Sequence, residues 1–252
     1  MKFSDLYNEL SISFPKSLSC DWDNDGIMCA HDLTQECKKV LIALDVTMDV
    51  VNYAIDNGFD TIISHHPLVF RAQKSLSPTS FTQSKLIKLI KNNINVMSFH
   101  TRLDAALGGV NDVLCRALGL INAEPDPSDS IGRIAYTVSP CELSSFAENV
   151  KHRLNSQFVL FNGKNTVHKV YVVGGDGKDL IDNAISSGCD TIITGRGSYN
   201  TTIDAQDMGI NIVEAGHFFT ENPVCNAIFN KILEIDSSIA AEIYFSNQIK
   251  CI

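Results

Sequence analysis

The chain has 252 residues, 44% hydrophobic and 19% charged, and a net charge of 20 − 29 = −9. That composition suits a globular protein with room for a sizeable core, as one large domain or two small ones. It argues against nucleic-acid binding, since no Lys/Arg run concentrates positive charge, and no apolar stretch approaches membrane-spanning length. The first ten residues contain no apolar signal-like core, and the eight cysteines are scattered without a C-x-x-C pair. The expectation is a cytoplasmic protein with reduced thiols.

Taken in chain order, residues 40–44 read as a buried strand. Residues 50–57 carry helical spacing through Val50, Val51, Ala54 and Ile55, and Gly58 follows as a natural stop. Residues 60–64 form the next strand, which ends abruptly in His65-His66-Pro67. Open α/β sheets place their ligand sites at such carboxyl ends. Neighbouring side chains on a strand point to opposite faces, so the chain must turn at His65-His66 for both imidazoles to aim at one place. Pro67 assists by keeping His66 out of helical geometry. Residues 93–97 read as another strand, just before His100.

The segment 124–130, rich in Pro, Asp and Ser, reads as a linker between halves 1–125 and 126–252. Beyond it come a strand at 131–138, a helix at 140–154 with Pro140 at its start, and a short strand at 158–161. Residues 209–213 read as a strand that stops before His217, 223–235 as the last helix and 242–245 as the last strand. If Glu221 sits in the first turn of that helix, its side chain and that of His217, four residues earlier, reach one point.

The chain also contains itself twice. Residues 39–64 and 169–194 align without gaps at an offset of 190 − 60 = 130, with 10 identities in 26 positions. Average composition would give roughly one or two. Each copy reads strand, helix, Gly, strand, a βαβ unit that builds a parallel sheet. The fold class expected is therefore α/β, with two related βαβ-containing halves, mostly parallel sheets and a shared metal cleft.

Four of the seven histidines fall at expected strand ends beside carboxylates. Three motifs hold them: His65-His66-Pro67; His100-x-x-Leu103-Asp104 followed by Gly108-Gly109-x-Asn111-Asp112; and Gly216-His217-x-x-x-Glu221. Together with Trp22-Asp23-Asn24-Asp25-Gly26-Ile27, they resemble, in order and over nearly the whole chain, the GTP cyclohydrolase I type 2 homologues, an NGG-interacting-factor-like family of hexameric proteins with a dinuclear metal centre. This chain would be the short form, without the domain some relatives carry between the halves.

The resemblance implies five metal ligands: His65, His66, Asp104, His217 and Glu221. It implies two divalent ions per chain, with Asp104 or Glu221 bridging them. Mixed nitrogen and oxygen donors suit zinc, iron, manganese, cobalt or nickel. The same resemblance places His100 beside the ligands, as an orienting group or as a catalytic proton carrier. Asn24 and Asp25 read either as neighbours of the cleft or as a tight turn near the amino terminus. Two ions bring +4 and two carboxylates −2, so the site should favour a small anionic substrate and a hydrolytic step, with opening of the purine ring of GTP as the family version.

A non-catalytic metal-binding scaffold or interaction protein is the alternative, and histidines with only structural roles are the plainest reading. The resemblance also implies a homohexamer, a trimer of dimers. One departure stands out: where relatives carry an acid and then a histidine, this chain has Arg196 and Asn200. No phosphate-loop pattern occurs, because Gly174-Gly175-Asp176-Gly177 lacks the required spacing and Lys-Ser/Thr.

Overall fold

The computed structural model describes residues 1–164 and 166–251. Its elements run α1 (Phe3–Ser13), β1 (Gly26–Cys29), β2 (Lys39–Ala43), α2 (Met48–Asp56), β3 (Thr61–Ser64), α3 (Phe81–Lys91), β4 (Asn95–Ser98) and α4 (Thr101–Ala105). They continue with α5 (Val110–Leu118), β5 (Ile121–Asp126), β6 (Asp129–Cys141), α6 (Leu143–Leu154), β7 (Leu160–Asn162), β8 (Val167–Asp176), α7 (Ile181–Ser186), β9 (Thr191–Arg196), α8 (Tyr199–Asp207), β10 (Asn211–Glu214) and α9 (His217–Glu221). The last two are α10 (Val224–Ile235) and β11 (Ala240–Tyr244). Among the described residues, no helix is long and apolar enough to cross a membrane.

Two compact units result. The first comprises Met1–Ala106 and Cys225–Asn247, the second Leu107–Val224 and Gln248–Ile252. In the first, a five-stranded sheet has the order β1-β4-β3-β2-β11. Only β1 runs antiparallel to its neighbour. In the second, a six-stranded sheet has the order β5-β6-β8-β9-β10-β7. Its centre, β8-β9-β10, is parallel and its flanking pairings are antiparallel. β3 and β4 are buried along their length and β9 up to its last residue, so they show no alternation of apolar and polar positions.

The internal repeat is a shared backbone device. Val40 pairs with Thr61 in the first sheet and Val170 with Thr191 in the second, the same register displaced by 130. Asp60 Oδ2 accepts hydrogen bonds from the backbone N–H of Lys38 and Lys39, at 2.8 and 2.9 Å. Asp190 Oδ2 accepts from His168 and Lys169, at 3.0 and 2.8 Å. Thr61 donates to Asp60 and Thr191 to Asp190. Lys39 Nζ donates to the carbonyl of Asn57, and Lys169 Nζ to that of Ser187. Gly58 and Gly188 both end their helices at φ +68°, a conformation costly for a residue with a Cβ. The identities that betray the repeat are thus the residues that tie a helix exit to two strand starts.

Several expectations need correction. The segment 124–130 is no linker: it closes the β5–β6 hairpin, where Asp126 pairs with Asp129 across the turn. Asp126 accepts from the backbone and hydroxyl of Ser128 at 3.1 and 2.9 Å and from the Tyr171 hydroxyl at 2.9 Å. Burial works against its charge, but these bonds outweigh it and hold the carboxyl below the usual range. Polar, Pro-rich composition marks a tight turn as readily as a linker. The compact units accordingly differ from halves 1–125 and 126–252, and the chain returns to the first unit at Cys225. Pro140 lies in β6 rather than at the start of α6. The last strand, β11, extends the first sheet by pairing parallel with β2.

Candidate metal centre

Register alone brings the first unit's chemistry to one sheet end. Ala43 pairs with Ser64, Ser64 with Ser98, and Ser98 with Gly26. The residues just past β2, β3 and β4, and just before the antiparallel β1, therefore share one level. These are Asp45, His65-His66, His100 and the loop carrying Asp23 and Asp25.

The chain turns at His65 as its sequence requires. Ser64 Oγ donates to the His66 carbonyl at 2.8 Å, and His66 N donates to the Leu44 carbonyl at 3.0 Å. Both rings then gather with His100: the centroids lie 4.8 Å apart for His65–His66, 5.3 Å for His65–His100 and 5.6 Å for His66–His100. One ring nitrogen of each lies within 4.8 Å of the others, a grouping that could hold a metal ion. Asp104, on α4, brings Oδ1 to 3.6 Å from His65 Nε2.

All three imidazoles are held in the same way. His65 Nδ1 lies 3.0 Å from the Phe99 carbonyl oxygen, His66 Nδ1 2.8 Å from Asp45 Oδ1 and His100 Nδ1 2.8 Å from Asp23 Oδ1. Carbonyl and carboxylate oxygens only accept, so each Nδ1 is placed to donate, which in the neutral ring leaves the lone pair on Nε2. An oxygen acceptor behind the ring is the arrangement that orients metal-binding histidines and raises their basicity. The donor set therefore fits a divalent ion with mixed nitrogen and oxygen ligands.

Sequence reasoning missed Asp45 and Asp23. Asp23 has a fully buried carboxylate that also accepts from Thr101 N at 3.0 Å and Thr101 Oγ1 at 2.6 Å. Burial opposes its charge, but the bonds from His100 and Thr101 prevail and hold it well below the usual carboxylate range. Asp25 lies behind this layer, bound to the buried Arg102, while Asn24 Nδ2 donates to the Val69 carbonyl.

In the second unit, Glu221 is not in the first turn of the final helix. It ends the separate short helix α9, with His217 at the other end, and His217 Nε2 lies 3.0 Å from Glu221 Oε2. The pair rests on bare backbone. A Cβ on Gly175 would overlap Glu221 Oε1 and come within 3.3 Å of His217 Nε2.

The Duf34/NIF3 (NGG1p interacting factor 3) family model matches residues 1–251. The chain belongs to the Duf34/NIF3 family. It is 34% identical over 248 residues to the GTP cyclohydrolase 1 type 2 homolog of Clostridium perfringens, covering 95% of this chain and 94% of that protein. A crystal structure of a Staphylococcus aureus hypothetical protein superposes with a TM-score of 0.91 at 27% identity, over 100% of this chain and 99% of that one. Reduced HcgD from Methanocaldococcus jannaschii gives 0.84 at 26% identity, with 98% of each chain covered.

This Duf34/NIF3 chain has Gly195-Arg196 where its first copy has His65-His66, and packing explains the glycine. A Cβ there would lie 2.6 Å from the Gly175 carbonyl and 2.7 Å from His217 Cα. Arg196 and Asn200 are exposed, and Ser198 caps α8 in a capping box with Thr201. The second copy's strand end thus packs against His217 and carries no imidazole. Thr220 Oγ1 would also lie 2.6 Å from that Cβ, and Gly195→Ala should cost about 1–3 kcal/mol, because the other two obstacles are backbone and cannot swing away. The check is the urea midpoint, and a loss below about 0.5 kcal/mol would show that this backbone yields.

Proposed function

We propose that the chain is a metal-dependent hydrolase of a small anionic, nucleotide-like substrate. In this reading His65, His66, Asp104, His217 and Glu221 together hold two divalent ions. The observation that carries it is the common orientation of His65, His66 and His100, each with Nδ1 facing an oxygen acceptor. Three histidines packed for structural reasons have no cause to share that orientation around one point. The name GTP cyclohydrolase 1 type 2 homolog, borne by relatives, makes GTP the first substrate to try.

Bound divalent ions would supply Lewis acidity and would acidify water toward neutral pH. The chain's own residues do the rest. Asp45 and the Phe99 carbonyl keep the His66 and His65 rings aimed. His100 Nε2 takes a proton from the attacking water as the new oxygen bond forms, and returns it to the leaving group as the old bond breaks. Asp23 steadies the imidazolium formed in between. The homohexamer implied by the family resemblance belongs to this reading, and sedimentation at monomer mass would remove it.

The test is direct. Protein purified without a chelator or a histidine tag should carry more than one metal ion per chain. It should turn over GTP or a member of a phosphoester panel, and Asp104→Ala and Glu221→Ala should each lower turnover by about 100-fold or more. Full activity in both variants would trace the turnover to a contaminant. Metal content below about one ion per chain would remove the dinuclear site.

A further inference from the structure

Trp22 is 64% exposed and Phe70 47% exposed. Single exposed aromatic residues are ordinary. These two lie together, with ring centroids 6.2 Å apart and planes at 66°. Each ring centroid is also 6.3 Å from that of His100, at 76° for Trp22 and 89° for Phe70. Two large exposed rings thus stand edge to face around the imidazole that the proposed reaction uses.

Their positions are built. Trp22 directly precedes Asp23, whose buried carboxylate is tied to the His100 ring and to Thr101. Phe70 directly follows Val69, whose carbonyl accepts from the Asn24 side chain. The two loops are thereby joined to each other and to the turn after β4, and the rings are exposed at fixed places beside the histidine cluster. Holding costly apolar surface open at a fixed place is how a site prepares to receive a flat ligand.

We infer that Trp22 and Phe70 form a stacking platform for the planar heteroaromatic part of the substrate, a nucleobase-like ring held beside His100. This deepens the hydrolase reading and rests on it for the identity of the reacting site. A protein partner fits less well, because such a face needs several hundred Å² of continuous apolar surface, whereas these rings are bordered by the exposed Asn24 and the partly exposed His100. Stacking on aromatic side chains tolerates any base, since every base has a π face. The platform therefore selects for a flat ring, not for guanine in particular.

Trp22 is the only tryptophan in the chain, so emission excited at the red edge of the indole band, clear of the six tyrosines, reports on the platform. The full-length, metal-loaded protein should be titrated with GTP, guanosine and inorganic tripolyphosphate. GTP and guanosine should quench the emission to saturation, and tripolyphosphate should leave it unchanged. Phe70→Ala should weaken GTP binding roughly 5- to 150-fold, and Phe70→Tyr should restore it. Equal responses to GTP and tripolyphosphate, or no response to GTP or guanosine, would overturn the platform. So would a Phe70→Ala protein that changes its assembled mass while keeping its GTP affinity, which would make the rings an assembly contact. Quenching without turnover on any substrate would keep the platform and remove the hydrolase, whereas turnover of non-aromatic phosphoesters without quenching would do the reverse.

Discussion

Asp25→Ala is expected to cost about 3–5 kcal/mol of stability, a large share of the roughly 5–15 kcal/mol available to a folded domain. The side chains of Asp25 and Arg102 are both fully buried. Arg102 Nε donates to Asp25 Oδ2 at 2.8 Å and its Nη2 to Oδ1 at 3.2 Å, a bidentate pair. The guanidinium also donates to the Phe14 carbonyl at 3.3 Å and lies 4.8 Å from the Phe99 ring centroid. Alanine at position 25 would leave that cation buried against aromatic rings with only neutral acceptors. Lys16 also pairs with Asp25, but its side chain is 55% exposed, so Lys16→Ala should cost no more than about 1 kcal/mol. Replacing Asp25 and Arg102 together by Leu and Met should recover much of the loss, because the penalty comes from the orphaned charge. Urea midpoints for the three proteins decide the matter, and an Asp25→Ala loss within about 1 kcal/mol would show that water reaches Arg102.

The same pair sets a pH dependence. Burial opposes the Asp25 charge, but Arg102 and Lys16 overcome it and hold the carboxyl below its ordinary range. A carboxyl depressed in the folded state contributes stability that is complete above its unfolded pKa, near 4, and is lost as pH falls through the folded value. Asp23 acts in the same direction. Stability should therefore be level above about pH 5 and fall steeply below about pH 4. Asp25→Asn should flatten part of that decline.

What could be read in advance follows from how far each signal reaches along the chain. The βαβ repeat was legible because Asp60/Asp190, Lys39/Lys169 and Gly58/Gly188 serve backbone geometry within about 20 residues, where spacing is preserved. His65, His66, His100 and His217 stood out as histidines at or just past strand ends, whereas Asp104 and Glu221, on the short helices α4 and α9, were singled out as ligands with the family resemblance. Asp23 and Asp45 were not. They take part only because β1, β2, β3 and β4 share a register, and partners 64 − 43 = 21 to 98 − 26 = 72 residues apart leave no local sign of their pairing, so Asp23 was read only as part of the Trp22–Ile27 motif. The destination of β11 was hidden for the same reason: an apolar strand declares its conformation without naming its neighbour. The 124–130 turn misled because hairpin tips and linkers draw on the same residues.

Asp45→Ala should lower metal affinity by roughly 10- to 100-fold while leaving the fold intact. Asp45 is a half-exposed carboxylate behind His66, with its Oδ1 2.8 Å from Nδ1. Removing it frees the ring to turn and to change tautomer, so that Nε2 presents its lone pair for only part of the time. Asp45→Asn keeps an oxygen acceptor without the charge and should fall between Ala and the parent. His66→Ala, which removes the donor itself, should lose more than either. The order His66→Ala, Asp45→Ala, Asp45→Asn, parent is the prediction, read from competition with a chelator of known affinity. A graded series in metal affinity at constant urea midpoint separates this site from the Asp25–Arg102 pair, whose variants should move the midpoint first. If Asp45→Ala binds metal as the parent does, the His66 ring is held by its surroundings, and the shared orientation of His65, His66 and His100 loses its force as the mark of a metal site.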